Sequence, residues 1–127
     1  MDSIRVMVVD DAADARFLIG LILAEAEGIE VVAEADGAAG ALEQVGAIAP
    51  DIALVDARMP LVDGFELTGQ LQAASPGLLV ALLTSVVDPV IEAQAHAAGA
   101  DACWSKADLD SLPAAILALS GRDQAGP

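Results

Sequence analysis

Five side chains that could carry chemistry stand at or just beyond the ends of short apolar runs: Asp10, Asp11, Asp56, Thr84 and Lys106. Three of them are carboxylates, which repel one another when packed together unless they are protonated or bridged by a cation. Oxygen ligands that leave room for retained water suit Mg²⁺ better than zinc. The residue types therefore predict a magnesium site, provided that the fold brings the three acids together.

A lysine and a hydroxyl complete this set of residues. The Lys106 ammonium can attract a tetrahedral anion by its charge, and the Thr84 hydroxyl can donate a hydrogen bond to it. Such an anion would be a phosphoryl group, and one carboxylate could be the nucleophile that forms an aspartyl phosphate. Taken alone, Asp56 would ordinarily be a solvated turn acid. The interpretation rests on the joint occurrence of these residues.

The elements that must position these residues alternate along the chain. Apolar runs without polar alternation are typical of parallel strands covered on both faces, and Gly or Pro residues separate them from helical segments. The predicted strands are 4–9, 29–34, 52–55, 78–83 and 101–105, and the predicted helices are 14–27, 36–46, 65–73, 89–98 and 111–119. Asp36 is expected to cap the second helix, and Asp88 followed by Pro89 to open the fourth.

This alternation predicts an α/β fold with a doubly wound, five-stranded parallel sheet and five helices, a flavodoxin-like three-layer sandwich. In such a sheet the carboxyl ends of the strands meet at one edge, where ligands bind. Residues far apart in the sequence would converge there. Residues 1–120 are interpreted as one domain, and residues 121–127 as a tail or the stub of a linker.

Composition argues against several functions. The net charge of −15, with a single lysine, opposes direct nucleic acid binding, which requires clustered Lys and Arg. The single cysteine, Cys103, favours a reducing, cytoplasmic setting, and no apolar run is long enough for a signal core or a membrane span. His96 has no partner His or Cys with which to build a site, so it is interpreted as a solvated side chain.

The segments VVDDAAD, LVDARMPLVDG, LLTS and AGADACWSK resemble the motifs of response-regulator receiver domains of two-component signalling. The resemblance spans residues 4–120, and the residues around Asp56 and the SKADL ending are most similar to receivers of the nitrate/nitrite-regulator type. It implies a domain that is not a conventional enzyme. Such a domain takes a phosphoryl group from a sensor histidine kinase, loses it slowly and changes partners, often to regulate transcription.

Two sets of residues carry over from this resemblance. The phosphorylation site would consist of the acceptor Asp56, the switch hydroxyl of Thr84 and the phosphate-binding Lys106. The Mg²⁺ ligands would be Asp10, Asp11, Asp56 and the backbone carbonyl of Arg58.

Two positions depart from the family pattern. Cys103 stands three residues before the lysine, where the family usually has the Tyr or Phe that reports phosphorylation, so the relay lacks its usual aromatic residue. Trp104 comes one place later, and strand alternation puts it on the other face of the sheet, where it is a poor substitute. Ala107 follows the lysine, where many receivers have a proline in a cis peptide.

Two alternatives remain open. A Mg²⁺-dependent phosphohydrolase with an Asp nucleophile would use the same residues. However, Arg58 stands where its second acid belongs, so no general acid for rapid turnover is in place. The other alternative is a pseudo-receiver that binds partners without phosphorylation, which Cys103 favours and the intact set of acids, hydroxyl and lysine opposes.

The first helix carries more apolar residues than one buried face can use. Its predicted core stripe consists of Ala15, Ile19, Ile22, Leu23 and Ala26. A repeat of 3.6 residues places Phe17 and Leu21 about 160° from this stripe, facing solvent and adjacent to each other. Such a patch predicts a homodimer built on this helix. The alternative is that the last helix shields one of the two residues.

Overall fold

The computed structural model describes residues 3–121, which form a parallel sheet between two layers of helices. The strands are β1 (Ile4–Val9), β2 (Ile29–Ala35), β3 (Ile52–Asp56), β4 (Leu79–Thr84) and β5 (Ala102–Ser105). The helices are α1 (Ala13–Ala24), α2 (Ala38–Ile48), α3 (Gly64–Ala74), α4 (Pro89–Ala98) and α5 (Leu112–Ser120), with a 3-10 helix (Lys106–Ser111) after β5. The predicted doubly wound fold is confirmed. Of the predicted tail, all but Gly121 lies outside the described residues.

The strand order β2-β1-β3-β4-β5 explains why the two central strands matter most for a site. The chain winds outward from β1 to β2 and then returns to place β3 on the other side of β1. The switch point of the sheet therefore lies between β1 and β3, and in open α/β sheets ligands bind outside the strand ends at this point. Val9 of β1 is in register with Val55 of β3, so Asp10 and Asp56 follow at the same level.

Apolar side chains form one core layer on each face of the sheet. Strand residues alternate between the layers, as Val8 and Val9 show. Ile19 and Leu23 of α1 are fully buried on the α1/α5 face, and Leu67 of α3 is fully buried on the opposite face. Burial of each such side chain stabilises the fold by about 1.5–3 kcal/mol. The layers hold the strand ends in fixed relative positions.

Helix α2 begins differently from the prediction. Its N-cap is Gly37, and no side chain caps it, so the predicted Asp36 cap is wrong. A capping side chain accepts a hydrogen bond from a backbone N–H of the first turn, and it does so from the N-cap position. Asp36 lies one residue before that position. The predicted Asp88 cap is confirmed, because its carboxylate accepts a hydrogen bond of 2.9 Å from the Ile91 N–H.

Two further differences concern the ends of helices. Helix α1 ends at Ala24 rather than at Glu27, and Gly28, at φ +83°, completes the turn into β2. The 3-10 helix Lys106–Ser111 was not predicted.

Within residues 3–121, no helix has both the length and the apolar character that crossing a bilayer requires.

Candidate functional site

The three predicted carboxylates come together at the carboxyl edge of the sheet. One oxygen from each of Asp10, Asp11 and Asp56 lies within 4.8 Å of the other two. Asp10 and Asp56 are buried, with 1% and 7% of their surface exposed, whereas Asp11 is exposed. A cation held by these oxygens would have a protein side and a solvent side, which suits an ion that keeps several waters.

The two carboxylate oxygens of Asp10 have different partners, one in the turn into α1 and one in the acidic cluster. Oδ1 accepts a hydrogen bond of 2.9 Å from the Ala12 N–H and so stabilises the turn into α1. Oδ2 is buried, and its one close partner among the described residues is the Lys106 ammonium, 2.8 Å away. A buried carboxylate oxygen with so few partners fits a ligand for a hard cation.

Lys106 is the cation that meets the acidic cluster in this structure. Its Nζ lies 2.8 Å from Asp10 Oδ2 and 3.4 Å from Asp56 Oδ1. Burial lowers the pKa of Lys106, but the hydrogen bonds and charges of Asp10 and Asp56 outweigh it, so the pKa lies above its ordinary value. The side chain is therefore an ammonium at neutral pH, as binding a phosphoryl group requires.

Opposing influences act on the pKa of Asp56, which lies above its ordinary value. Burial raises it most, and the charge of Asp10 adds to this effect. The Arg58 N–H, which donates to Asp56 Oδ1 over 3.2 Å, and the Lys106 ammonium lower it. A divalent cation beside the carboxylate would favour the ionised form, which is the nucleophilic one.

Thr84 is the last residue of β4 and is buried. The preceding residue, Leu83, is in register with Asp56, so Thr84 lies at the same edge of the sheet as the acids. Its hydroxyl donates to the Val86 carbonyl over 3.2 Å. The structure thus places Thr84 where it was predicted and shows its hydroxyl bonded to the loop after β4.

The loop after β3 brings Gly64 so close to the backbone of Asp56 and Ala57 that this position has no room for a side chain. A Cβ on Gly64 would overlap the carbonyl oxygen of Asp56 and lie 2.8 Å from the Cα of Ala57. The Gly64 N–H donates to the Ala57 carbonyl over 3.0 Å. The sequence indicated a turn here but gave no sign of this contact. The carbonyl of Arg58 stays a predicted metal ligand.

The sequence profile described as "response regulator receiver domain" matches residues 6–117. The chain belongs to this family. The receiver domain is 32% identical over 126 residues to the response regulator GacA of Pseudomonas viridiflava, which covers 98% of this chain and 59% of GacA. It is 43% identical over 82 residues to protein-glutamate methylesterase/protein-glutamine glutaminase 5 of Myxococcus xanthus, which covers 63% of this chain and 24% of that protein.

Solved structures of the same family share the fold. The signal receiver domain of NarL from Mycobacterium tuberculosis is 31% identical, with a TM-score of 0.83, covering 96% of this chain and 100% of that one. A LuxR-family two-component response regulator from Aurantimonas sp. is 29% identical, with a TM-score of 0.88, covering 95% and 88%. The role typical of receiver domains is to accept a phosphoryl group, and in general they are not enzymes.

Cys103 and Trp104 lie on opposite faces of β5 in the receiver domain. Cys103 packs on the core layer of the α3 face and Trp104 on that of the α1/α5 face, which confirms the predicted alternation. A cavity of about 270 Å³, with Val87 and Leu112 in its wall, borders both residues. Burial, and then the charge of Glu92, raise the pKa of the Cys103 thiol.

The apolar residues predicted to face solvent on α1 do so. Phe17 is 68% exposed and Leu21 is 50% exposed, and Leu18 beside them is also exposed. Helix α5 contacts α1 but shields neither Phe17 nor Leu21, so the predicted alternative of shielding is wrong. The exposed position of His96 agrees with its interpretation as a solvated side chain.

A residue that the sequence analysis missed also reaches the site. Arg16, at the end of the first turn of α1, donates from Nη1 to the carbonyl oxygen of Asp10 over 2.7 Å. No sequence pattern predicts a hydrogen bond from an arginine side chain to the main-chain carbonyl six residues earlier.

Proposed function

We propose that Asp56 is the phosphoacceptor of this receiver domain and takes its phosphoryl group from the phosphohistidine of a sensor histidine kinase. The observation that supports this most is the convergence of Asp10, Asp11 and Asp56 within 4.8 Å, with Lys106 beside two of them. Phosphoryl transfer depends mainly on positioning and on neutralising charge, and these residues can do both.

Mg²⁺ is part of this proposal. The buried Oδ2 of Asp10 and the exposed carboxylate of Asp11 fit a hard cation, and they would hold it with Asp56 and the carbonyl of Arg58. When bound, the ion would neutralise charge on the carboxylates and on the transferring oxygens. Its affinity depends on the deprotonated carboxylates, so binding should weaken in acid.

The proposed roles of the protein side chains are supported by their positions. A carboxylate oxygen of Asp56 forms a bond to phosphorus as the bond from phosphorus to the kinase histidine breaks, and the electron pair remains on the imidazole nitrogen. Lys106 attracts the phosphoryl oxygens, and Thr84 exchanges its bond to the Val86 carbonyl for one to these oxygens. That exchange releases the loop after β4, which carries the signal to partners.

The decisive experiment is incubation with acetyl phosphate and Mg²⁺ followed by mass spectrometry. We expect the mass of one phosphoryl group, located at Asp56 by peptide mapping. Uptake that depends on Mg²⁺ supports the proposal. An intact mass that does not change would favour a pseudo-receiver, whereas rapid release of phosphate with turnover would favour a phosphohydrolase.

The wider setting is proposed from the relatives. The 31% identity to the NarL receiver supports the nitrate/nitrite-regulator type, and the LuxR-family neighbour supports a role in regulating transcription. The cytoplasmic setting is proposed from the single cysteine alone. We propose residues 1–120 as the receiver unit and 121–127 as a tail or linker. The chain spans 59% of GacA and 24% of the methylesterase. Any output activity, such as the regulation of transcription, is therefore only proposed.

The proposed assembly is a homodimer through α1. Phe17 and Leu21 are exposed neighbours on one face of this helix, and a symmetric contact would bury the same patch of both copies. Direct binding to nucleic acid or to a membrane is not expected of this domain, because its net charge of −15 repels both phosphate backbones and anionic lipids.

A further inference from the structure

Arg16 links the ends of β1 and β2 at the acidic site. Its Nη1 donates to the Asp10 carbonyl over 2.7 Å, and its Nε lies 3.7 Å from Glu34 Oε1 near the end of β2. The Arg16 side chain is 21% exposed, whereas the Glu34 side chain is 51% exposed. Arg16 therefore contacts the main chain beside the acidic site. None of its described bonds goes to a carboxylate oxygen of Asp10, Asp11 or Asp56.

The bond from Arg16 fixes one particular peptide plane. The carbonyl of Asp10 belongs to the peptide unit that joins Asp10 to Asp11, and planarity of that unit makes it rotate as one body. A charge-assisted bond to this oxygen therefore restrains the rotation of the whole peptide unit. The bond from the Ala12 N–H to Asp10 Oδ1 restrains the next peptide of the same turn.

The Asp11 carboxylate needs such a restraint. It is exposed, and within residues 3–121 no hydrogen bond or ion pair holds it in place. Its position near the other two carboxylates is therefore set by the backbone from which it projects. If the peptide before Asp11 could rotate, the carboxylate would spend less time within 4.8 Å of the oxygens of Asp10 and Asp56.

We propose that Arg16 is a positioning residue for the cation site: by holding the Asp10 carbonyl, it keeps the Asp11 carboxylate in the geometry that binds Mg²⁺. The inference rests on the proposed function, because it assumes that the three acids bind Mg²⁺. Partners that orient metal ligands commonly change affinity by tenfold or more when they are removed.

The charge of Arg16 makes the sign of the effect decisive. A positive side chain near the site repels Mg²⁺, so loss of the charge alone would tighten binding. Loss of the restraint on the peptide would weaken it. Weaker binding after Arg16 is removed would therefore come from positioning and could not come from the lost charge.

The test measures Mg²⁺ affinity by isothermal titration calorimetry in Arg16→Ala, Arg16→Lys and Arg5→Ala. Arg5 is the matched control, because its Nη1 donates to the Ala49 carbonyl over 2.6 Å in the same manner, at the other end of the sheet. We expect binding about tenfold weaker in Arg16→Ala and partly restored in Arg16→Lys, which keeps one donor and the charge. Arg5→Ala should bind as the wild type does.

A second measurement separates positioning from catalysis. In Arg16→Ala the rate of phosphorylation by acetyl phosphate should approach the wild-type rate once Mg²⁺ is saturating, because Arg16 contacts no reacting group. Affinity in Arg16→Ala that equals or exceeds the wild-type affinity overturns the inference. A wild type that binds no Mg²⁺ overturns the proposed function instead.

A folding defect would not remove the test. If circular dichroism shows that Arg16→Ala is unfolded, Arg16→Gln takes its place, since its side chain is polar but shorter than the arginine side chain whose Nη1 donates to the Asp10 carbonyl. Its Mg²⁺ affinity should also fall. An unchanged affinity in a folded Arg16→Gln overturns the inference.

Discussion

The ammonium of Lys106 lies closer to Asp10 Oδ2, at 2.8 Å, than to any oxygen of the proposed phosphoacceptor. The lysine is thus first of all the counterion of an acid that we assign to the metal. A cation bound to Asp10 would compete with Lys106 for that oxygen and free the ammonium for the phosphoryl oxygens on Asp56. Metal binding and phosphate binding would then be coupled through this one side chain.

Replacing Asp56 by Asn removes the nucleophile and one charge while keeping the shape of the side chain. We expect the variant to fold and to take up no phosphoryl group from acetyl phosphate, measured by mass spectrometry. The exposed acid Asp110 offers a matched control, because Asp110→Asn removes one charge outside the cluster. Phosphorylation of Asp56→Asn at the wild-type rate would contradict the assignment.

The same variant tests the electrostatics of the site. The pKa of Asp56 is raised, mainly by burial, so the folded domain holds this proton more tightly than the unfolded chain does. Stability from this carboxyl is therefore fully present below its ordinary pKa of 3.8 and is lost as pH rises through the folded value. Without Mg²⁺, Asp56→Asn should melt a few degrees above the wild type at neutral pH. Such a shift corresponds to a gain in the free energy of unfolding on the order of 1 kcal/mol.

The advantage of Asp56→Asn should shrink as pH falls towards 3.8, because the wild-type carboxyl then becomes protonated. Calorimetry across this range gives the difference in melting temperature directly. A difference that is constant with pH, or that has the opposite sign at neutral pH, would contradict the raised pKa.

Mg²⁺ should raise the melting temperature of the wild type in proportion to the logarithm of its concentration above Kd. At one hundred times Kd the expected stabilisation is about 2.7 kcal/mol. Asp11→Ala should lose most of this effect, whereas Asp110→Ala, outside the cluster, should keep it. A melting temperature that stays constant through a millimolar titration of the wild type would argue strongly against the metal site.

The sequence predicted the positions of the acids because their placement depends on strands alone. Uninterrupted apolar runs define buried parallel strands, and the parallel direction brings their carboxyl ends to one edge. Asp10 directly follows β1 and Asp56 ends the neighbouring β3, so small errors in strand bounds do not separate them. Likewise, the opposite faces of Cys103 and Trp104 follow from alternation along a strand, whatever surrounds it.

The features that could not be predicted depend on the path of loops. The reach of Arg16 to the Asp10 carbonyl and the return of Gly64 onto Asp56 arise from three-dimensional approaches between segments whose spacing in the sequence says nothing of distance. The failed cap at Asp36 has a local reason, since a shift of one residue in the start of a helix changes which side chain can cap it.

Gly64→Ala should move the loop that holds the proposed phosphoacceptor. The added Cβ overlaps the Asp56 carbonyl, so the backbone must shift at a cost of about 1–3 kcal/mol. We expect a lower melting temperature and phosphorylation slowed by about tenfold or more, since small displacements of reacting groups have large effects on rate. Chemical denaturation and a time course with acetyl phosphate measure the two effects.

Gly69, in the same helix, is the matched control for Gly64. A Cβ there meets no atom within 4 Å, and the position is exposed. Gly69→Ala should therefore stabilise the domain by about 0.5–1 kcal/mol through helix propensity and leave phosphorylation unchanged. Equal behaviour of the two variants would contradict the close contact at Gly64.

The Cys103 thiol should react slowly with iodoacetamide in the folded domain. It is half-buried, and burial and the charge of Glu92 raise its pKa, so little reactive thiolate is present at neutral pH. The rate of modification, followed by mass spectrometry, should still rise with pH at values where an ordinary thiol is already fully ionised, because the pKa of Cys103 is raised. Glu92→Gln should speed the reaction, and unfolding in urea should remove the protection. A native rate equal to the rate in urea would contradict this prediction.

Self-association through α1 must overcome electrostatic repulsion, because each chain carries a net charge of −15. Salt screens such repulsion over distances beyond about 10 Å at 0.1 M. Contact between apolar side chains is little affected by this screening. The proposed dimer should therefore become more stable as the concentration of sodium chloride rises.

Replacing both Phe17 and Leu21 by Glu should abolish the dimer, because two charges per chain would be buried at a symmetric contact without partners. Sedimentation velocity, with and without acetyl phosphate and Mg²⁺, gives the mass of each species. Val90→Glu is the control, since Val90 is similarly exposed, at 66%, but lies on α4, and its variant should remain dimeric. A wild type that is monomeric in every condition, or a dimer lost only in Val90→Glu, would contradict an interface on α1.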